Sequence, residues 1–225
     1  MPTPINLKAQ FYPNEFYHIV CKSIDGILLF NDDTDHQIFN QRFKKFTADF
    51  FEIWSYCHIP NHTHHVIKIK SIDAISGFIK KLPALNVSVA MKAFYTDIEN
   101  TLFFDSMISR QMNSFLVSYA NYINNKYNRK GGVFQKPFKR IKIENDAHLQ
   151  QAIIYTNANA QKHGMIADYK QYQYSSYLQT LQHDQYYIDS KGVIHFFNGI
   201  ENFLLIHDLQ VAYFYQHNWP DSKLE

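Results

Sequence analysis

The feature that most constrains this chain is a pair of β-rich runs, residues 51–57 and 63–69, separated by Pro60-Asn61. A proline and an asparagine between two runs of β-branched and aromatic residues favour a tight turn, so the runs predict an antiparallel hairpin. A hairpin is stable only when it packs on other elements, and the flanking segments supply them. Residues 16–21 read as a further strand closed by a turn at Gly26, and Asp33 or Thr34 can cap a helix to about Ala48 with Phe39, Phe43 and Phe46 on one face. Residues 72–81 are helical up to Pro83, and residues 106–128 predict a longer helix through Ile108, Met112, Phe115, Tyr119 and Ile123. After Gly131-Gly132, residues 133–143 read as a basic strand, and Asn145-Asp146 starts a helix that runs to Gly164. This order predicts an α+β fold, with an antiparallel sheet covered by helices mainly on one face.

A chain of 225 residues can hold one domain with an extension. Residues 1–177 are expected to form the main domain. Residues 178–225, aromatic and weakly periodic up to Pro220-Asp221-Ser222-Lys223, are expected to pack on it as a C-terminal extension. No apolar run is long enough to span a bilayer, and Met1-Pro2-Thr3-Pro4 lacks the basic and apolar parts of a secretion signal, so a cytoplasmic protein is expected. Cys21 and Cys57 form no CxxC pair and read as small core residues.

The net charge of +2 does not mark a nucleic-acid binder, but the distribution is uneven. Lys126, Arg129, Lys130, Lys136, Lys139, Arg140 and Lys142 follow one another with no acidic residue between them, interleaved with Tyr127, Phe134 and Phe138. Such a segment suits a polyanion, and it equally suits a solvated basic strand.

The sharpest chemical signal is Asn61-His62-Thr63-His64-His65. On a strand His62 and His64 project from one face and can converge on a metal, whereas Thr63 and His65 project from the other. The same pattern also suits a polar strand end, and a zinc hydrolase using all three histidines is disfavoured by their division between two faces. In the helix after Asn145, Leu149, Ala152, Ile153, Thr156 and Ala160 form a core stripe, and His148, Tyr155, Asn159 and Lys162 form a neighbouring polar one. Tyr155 and Asn159 therefore sit one turn apart. Tyr155 can be read as a nucleophile beside a metal or as a ring packed on the core, and Asn159 offers an amide oxygen as a further ligand.

Taken together, these pieces resemble the HUH superfamily of single-strand nucleases, and within it the single-tyrosine transposases that include the REP-associated tyrosine transposases. The resemblance is carried by Tyr56-Cys57-His58-Ile59-Pro60-Asn61-His62-Thr63-His64, by residues 132–140, by Tyr155-Thr156-Asn157-Ala158-Asn159 running on to Gly164, and by Tyr174-Ser175-Ser176-Tyr177. It spans about residues 16–177. It implies a ferredoxin-like antiparallel sheet with packed helices, His62 and His64 as the metal-binding pair, Asn159 as a further ligand, Mg²⁺ or Mn²⁺ as the metal, and Tyr155 as the nucleophile. It also implies a DNA endonuclease and strand transferase acting on single-stranded or hairpin DNA through a 5′-phosphotyrosyl intermediate, in DNA transposition and recombination. A homodimer is compatible with it, with the site completed in one chain or across two. Thr63 stands where the family has a bulky apolar residue and Ala160 where it has proline. These departures are the sequence support for the alternative, a catalytically inactive DNA-binding descendant.

Overall fold

The computed structural model describes residues 8–183 and 186–217. Met1-Pro2-Thr3-Pro4 and Pro220-Asp221-Ser222-Lys223 lie outside them. Strands β1 (Phe16–Lys22), β2 (Phe51–Ile59), β3 (His62–Ile69) and β4 (Lys139–Lys142) form one antiparallel sheet in the order β2-β3-β1-β4. The hairpin turns at Pro60-Asn61 as expected. With helices between β1 and β2 and between β3 and β4, this is the ferredoxin-like arrangement. In the register, β1 lies beside β3 with Val20 opposite His64 and His18 opposite Val66.

Helices cover both faces, not mainly one. Helices α1 (Asp33–Thr47) and α4 (Thr101–Lys126) lie on the first, where Phe39, Phe43, Phe115 and Tyr119 pack edge to face in a fully buried cluster with Ile19, Ile67 and Ile69. Burying each such side chain stabilises the fold by about 1.5–3 kcal/mol. Helix α5 (Asp146–Lys162) lies on the second face over β2 and β3. The reason is visible in β3, where Val66 and Ile67 face opposite ways and both are buried. A strand buried on both sides needs two layers of cover.

Three boundaries shift for local reasons. The cap of α1 is Asp32, whose side chain accepts from the Asp35 N–H, rather than Asp33 or Thr34. Helix α4 starts at Thr101 instead of near Ser106, because Asn100 Oδ1 accepts from the N–H groups of Leu102 and Phe103. Only Lys139–Lys142 of the basic run is regular strand. Before it Pro137 has no N–H to give a ladder, and Phe134 makes an isolated bridge with Ser23. Between β3 and α4 stand α2 (Ile72–Lys81), capped by Ser71, and α3 (Val89–Thr96), capped by Ser88.

The weakly periodic C-terminal part is helical: α6 (Ser176–Leu181), α7 (Ser190–Phe196) and α8 (Ile200–His217). Phe203, Val211 and Phe214 of α8 share a core with Ile153, Ile154 and Tyr177. A buried chain of hydrogen bonds ties the layers: Ser176 Oγ donates to Asn157 Oδ1 at 2.6 Å, and Asn157 Nδ2 donates to His207 Nε2 at 3.1 Å. Helix α5 is therefore enclosed between the sheet and α8, and residues 152–160 are all buried. Among the described residues no helix is long and apolar enough to cross a membrane.

Candidate active site

Strand β3 divides its histidines as alternation predicts. His65 turns toward α1, stacking on Phe43 with ring centroids 4.5 Å apart, and Thr63 Oγ1 lies 3.4 Å from His65 Nδ1 on the same side. His62 and His64 turn toward α5, their ring centroids 5.1 Å apart. Facing them on α5 is a stripe at four-residue spacing. Tyr155 meets His64 edge-on at 5.6 Å, and His163, the C-cap, meets His62 at 5.1 Å. Asn159 lies midway between these two contacts, on the helix face turned to the histidine pair.

The hydrogen bonding of the cluster determines which nitrogens it presents. His62 Nδ1 donates to Asn61 Oδ1 at 2.8 Å, which leaves the lone pair on Nε2. His64 Nδ1 lies 2.9 Å from Nε2 of His18, a β1 residue on the same sheet face. His64 Nε2 and both amide atoms of Asn159 are buried with no hydrogen-bond partner among the described residues. Burial holds the imidazole of His64 well below its ordinary pKa, reinforced by His18, His62, Lys162 and His163, and burial with His148 brings His18 down to about 3. Both rings are neutral at neutral pH, the form in which histidine binds metal. Among the described residues no three His, Cys, Asp or Glu side chains group as a metal cage. The donors on offer are two imidazoles and an amide.

Tyr155 and Asn159 are completely buried, where the sequence placed them on a polar stripe. The phenolic oxygen of Tyr155 accepts from Lys162 Nζ at 2.9 Å, and the same ammonium stands 4.9 Å from the centre of its ring. Sequence reading put Lys162 on that stripe without a role and passed over His18 and His163. The signal for Lys162 was its spacing of seven from Tyr155, two helical turns. His18 became visible only with the strand order, which sets β1 beside β3.

The basic run is split between the two sheet faces. Lys139 lies opposite Val20, in the row of His64, so it shares the face of the histidine pair. Arg140 and Lys142 share the other face. Arg140 pairs with Asp105 at 2.9 Å, donates to Ser109 and lies over the Phe11 ring, and Lys142 pairs with Glu15 at 3.2 Å. Lys126 is bound to Asp32 at 2.8 Å and to the buried Asp35 at 2.7 Å, locking the end of α4 to the start of α1. Arg129 reaches Asn124, whereas Lys130 and Lys136 are exposed on the loop before β4.

No family model and no curated protein matches the chain. Among solved structures, one of a REP-associated tyrosine transposase bound to a REP hairpin is similar, at 15% identity and a TM-score of 0.52, covering 82% of this chain and 89% of that one. At that identity the likeness establishes the shared fold.

Proposed function

We propose that this chain is a transposase-like enzyme that cuts and rejoins single-stranded or hairpin DNA through Tyr155. The observation that carries the reading is the convergence, in one buried cluster, of the Tyr155 hydroxyl, the Lys162 ammonium and the imidazoles of His62 and His64. The fold shared with a transposase captured on a hairpin makes hairpin DNA the first substrate to try.

In the proposed reaction the Tyr155 oxygen forms a bond to phosphorus while the bond from phosphorus to the 3′ oxygen breaks. The phenol gives up its proton and the departing 3′ oxygen takes one. The products are a 5′-phosphotyrosyl link and a free 3′-hydroxyl, and a second 3′-hydroxyl reverses the exchange to rejoin a strand. Lys162 stabilises negative charge on the phenolic oxygen as it attacks and as it leaves. His62, His64 and Asn159 would hold a divalent cation, Mg²⁺ or Mn²⁺. When bound, it would neutralise charge on the phosphate. This requires the proton of the His18–His64 pair to sit on His64 Nδ1, so that Nε2 is the ligand atom and His18 fixes the ring. Lys139, Lys130 and Lys136 are the cations of the basic run best placed to meet phosphates.

The full burial of Tyr155 favours a second reading, a DNA-binding descendant in which the tyrosine no longer reaches a phosphate. Incubation with Mn²⁺ and a library of single-stranded hairpins, followed by mass mapping of covalent protein–DNA adducts, separates the two. An adduct on the peptide containing Tyr155 is the expected result. Hairpin binding without any adduct would select the descendant.

A further inference from the structure

Helix α8 is apolar nearly all round, yet the protein covers only one side of it. Phe203, Val211 and Phe214 are buried, whereas Ile200, Leu204, Leu205, Leu209, Tyr213 and Tyr215 are each more than a third exposed, Leu209 to 62%. Single exposed apolar residues are ordinary, but six on one helix of 18 residues form a patch. They leave on the order of 500–600 Å² of apolar surface in water, about as much as the largest patch of a typical monomer. A helix hydrophobic on all sides is an interior helix, so the outer side of α8 has the composition of a surface that is covered. Its layout agrees. Leu205, Leu209 and Ala212 recur at spacings of four and three along the outermost line, and Asn202 and Gln216 continue that line at its two ends. An apolar centre closed by polar ends is the anatomy of a protein interface.

Charge selects the occupant. No lysine or arginine lies between residues 200 and 217, so neither a phosphate backbone nor an anionic membrane finds a cation there. The two carboxylates of α8, Glu201 and Asp208, stand in its first half, and Lys170 pairs with Asp208 at 2.7 Å. Residues 209–217 carry no acidic or basic residue other than His217. A second copy of the same helix running the opposite way therefore lays the uncharged half of each helix on the acidic half of the other, holds the two Glu201 carboxylates at opposite ends, and opposes the two helix dipoles. Running the same way, the copies would bring Glu201 against Glu201. The area fits as well, because the patch taken on both copies comes to about 1,000–1,200 Å², at the lower bound of a specific interface.

We propose that α8 is the contact of a homodimer, in which the outer sides of two α8 helices pack antiparallel about a twofold axis near Leu209. Each copy presents the same patch, as a twofold contact requires. The proposal does not rest on the DNA reading, and its test involves no DNA. Sedimentation velocity of the full chain from about 1 to 100 μM should show a shift from the mass of one chain to that of two, since an interface of this size supports micromolar affinity. Leu209→Glu should raise the dissociation constant at least about tenfold and leave the melting temperature in place, because the side chain it replaces is largely in water in the single chain. Leu205→Glu serves the same purpose if the first variant melts early. Leu85→Glu, at a residue 99% exposed on the loop between α2 and α3, should leave the association unchanged. Orientation is read with a short bismaleimide, which the buried Cys21 and Cys57 do not meet. Asn202→Cys and Gln216→Cys chains should link when mixed, and neither should link to itself. A chain that stays single over this range would overturn the proposal and leave the patch to a different protein. A dimer indifferent to Leu209→Glu and Leu205→Glu, or equally weakened by Leu85→Glu, would move the contact off α8. Self-linking of the Asn202→Cys chain would overturn the antiparallel arrangement.

Discussion

Lys162 contributes both a hydrogen bond to the Tyr155 oxygen and a positive charge beside its ring. Replacing it by methionine keeps most of the stem and removes the charge, so the rate of adduct formation should fall by about 10²-fold in single-turnover measurements. Hairpin affinity should change little, and Lys162→Arg should restore part of the rate. If rate and affinity fell together, Lys162 would be a DNA contact and not a stabiliser of the tyrosine oxygen. That His62 and His64 share a strand face and that Tyr155 and Asn159 sit one turn apart was legible in the sequence, because strand and helix periodicities act over a few residues. His18 was not, since its contact with His64 depends on β1 pairing with β3, a choice made by the whole sheet.

At the level of elements, α5 is held from both sides. Asn157 is the tie on the side away from the sheet, and Asn157→Ala would leave the Ser176 hydroxyl and His207 Nε2 without their partner. Unfolding by urea should show a loss of about 1–3 kcal/mol, the usual cost of stranding a buried polar group. A loss within error would mean that α8 is held by apolar packing alone. The complete burial of α5 was not legible locally, because the cover comes from a helix about fifty residues later along the chain. The basic run shows the same limit. Its composition reads as one surface, yet the pleat sends Lys139 one way and Arg140 and Lys142 the other, and carboxylates from distant elements claim Lys126 and Arg140. Alanine at Lys130, Lys136 or Lys139 should therefore weaken hairpin binding and reduce the log–log salt slope by about 0.7 per lost contact on single strands. Alanine at Lys126 or Arg140 should lower the melting temperature and leave the slope nearly unchanged. The opposite pattern would return those two to the DNA surface.

Across the molecule, buried neutral histidines make the fold sensitive to acid. Burial holds His36 down at about 4 and His207 at about 3, and His58 well below its ordinary value, with His65 and His36 adding to the effect on His58. Each has a folded pKa below the ordinary histidine value of about 6.5, so the unfolded chain binds more protons between about 4 and 6.5. Stability should be fully present above that window and fall as pH drops through it, each histidine contributing up to about 1.4 kcal/mol per pH unit. A melting temperature flat from pH 7 to pH 5 would contradict the assignment of these rings as buried and neutral. The antiparallel α+β order and the hairpin were legible because local turn and pattern signals agree with the final topology; cover on both faces was not, because nothing local decides which face of the sheet α5 takes. The proposed reaction depends most on Tyr155. Its replacement by phenylalanine removes one hydroxyl and keeps the ring that packs against His64 and His18, so fold and hairpin affinity should persist. The most direct measurement is denaturing gel and mass detection of the covalent protein–DNA adduct in Mn²⁺, comparing the unaltered chain with Tyr155→Phe. An adduct is expected in the first and none in the second, and an adduct that survives in Tyr155→Phe would place the nucleophile elsewhere.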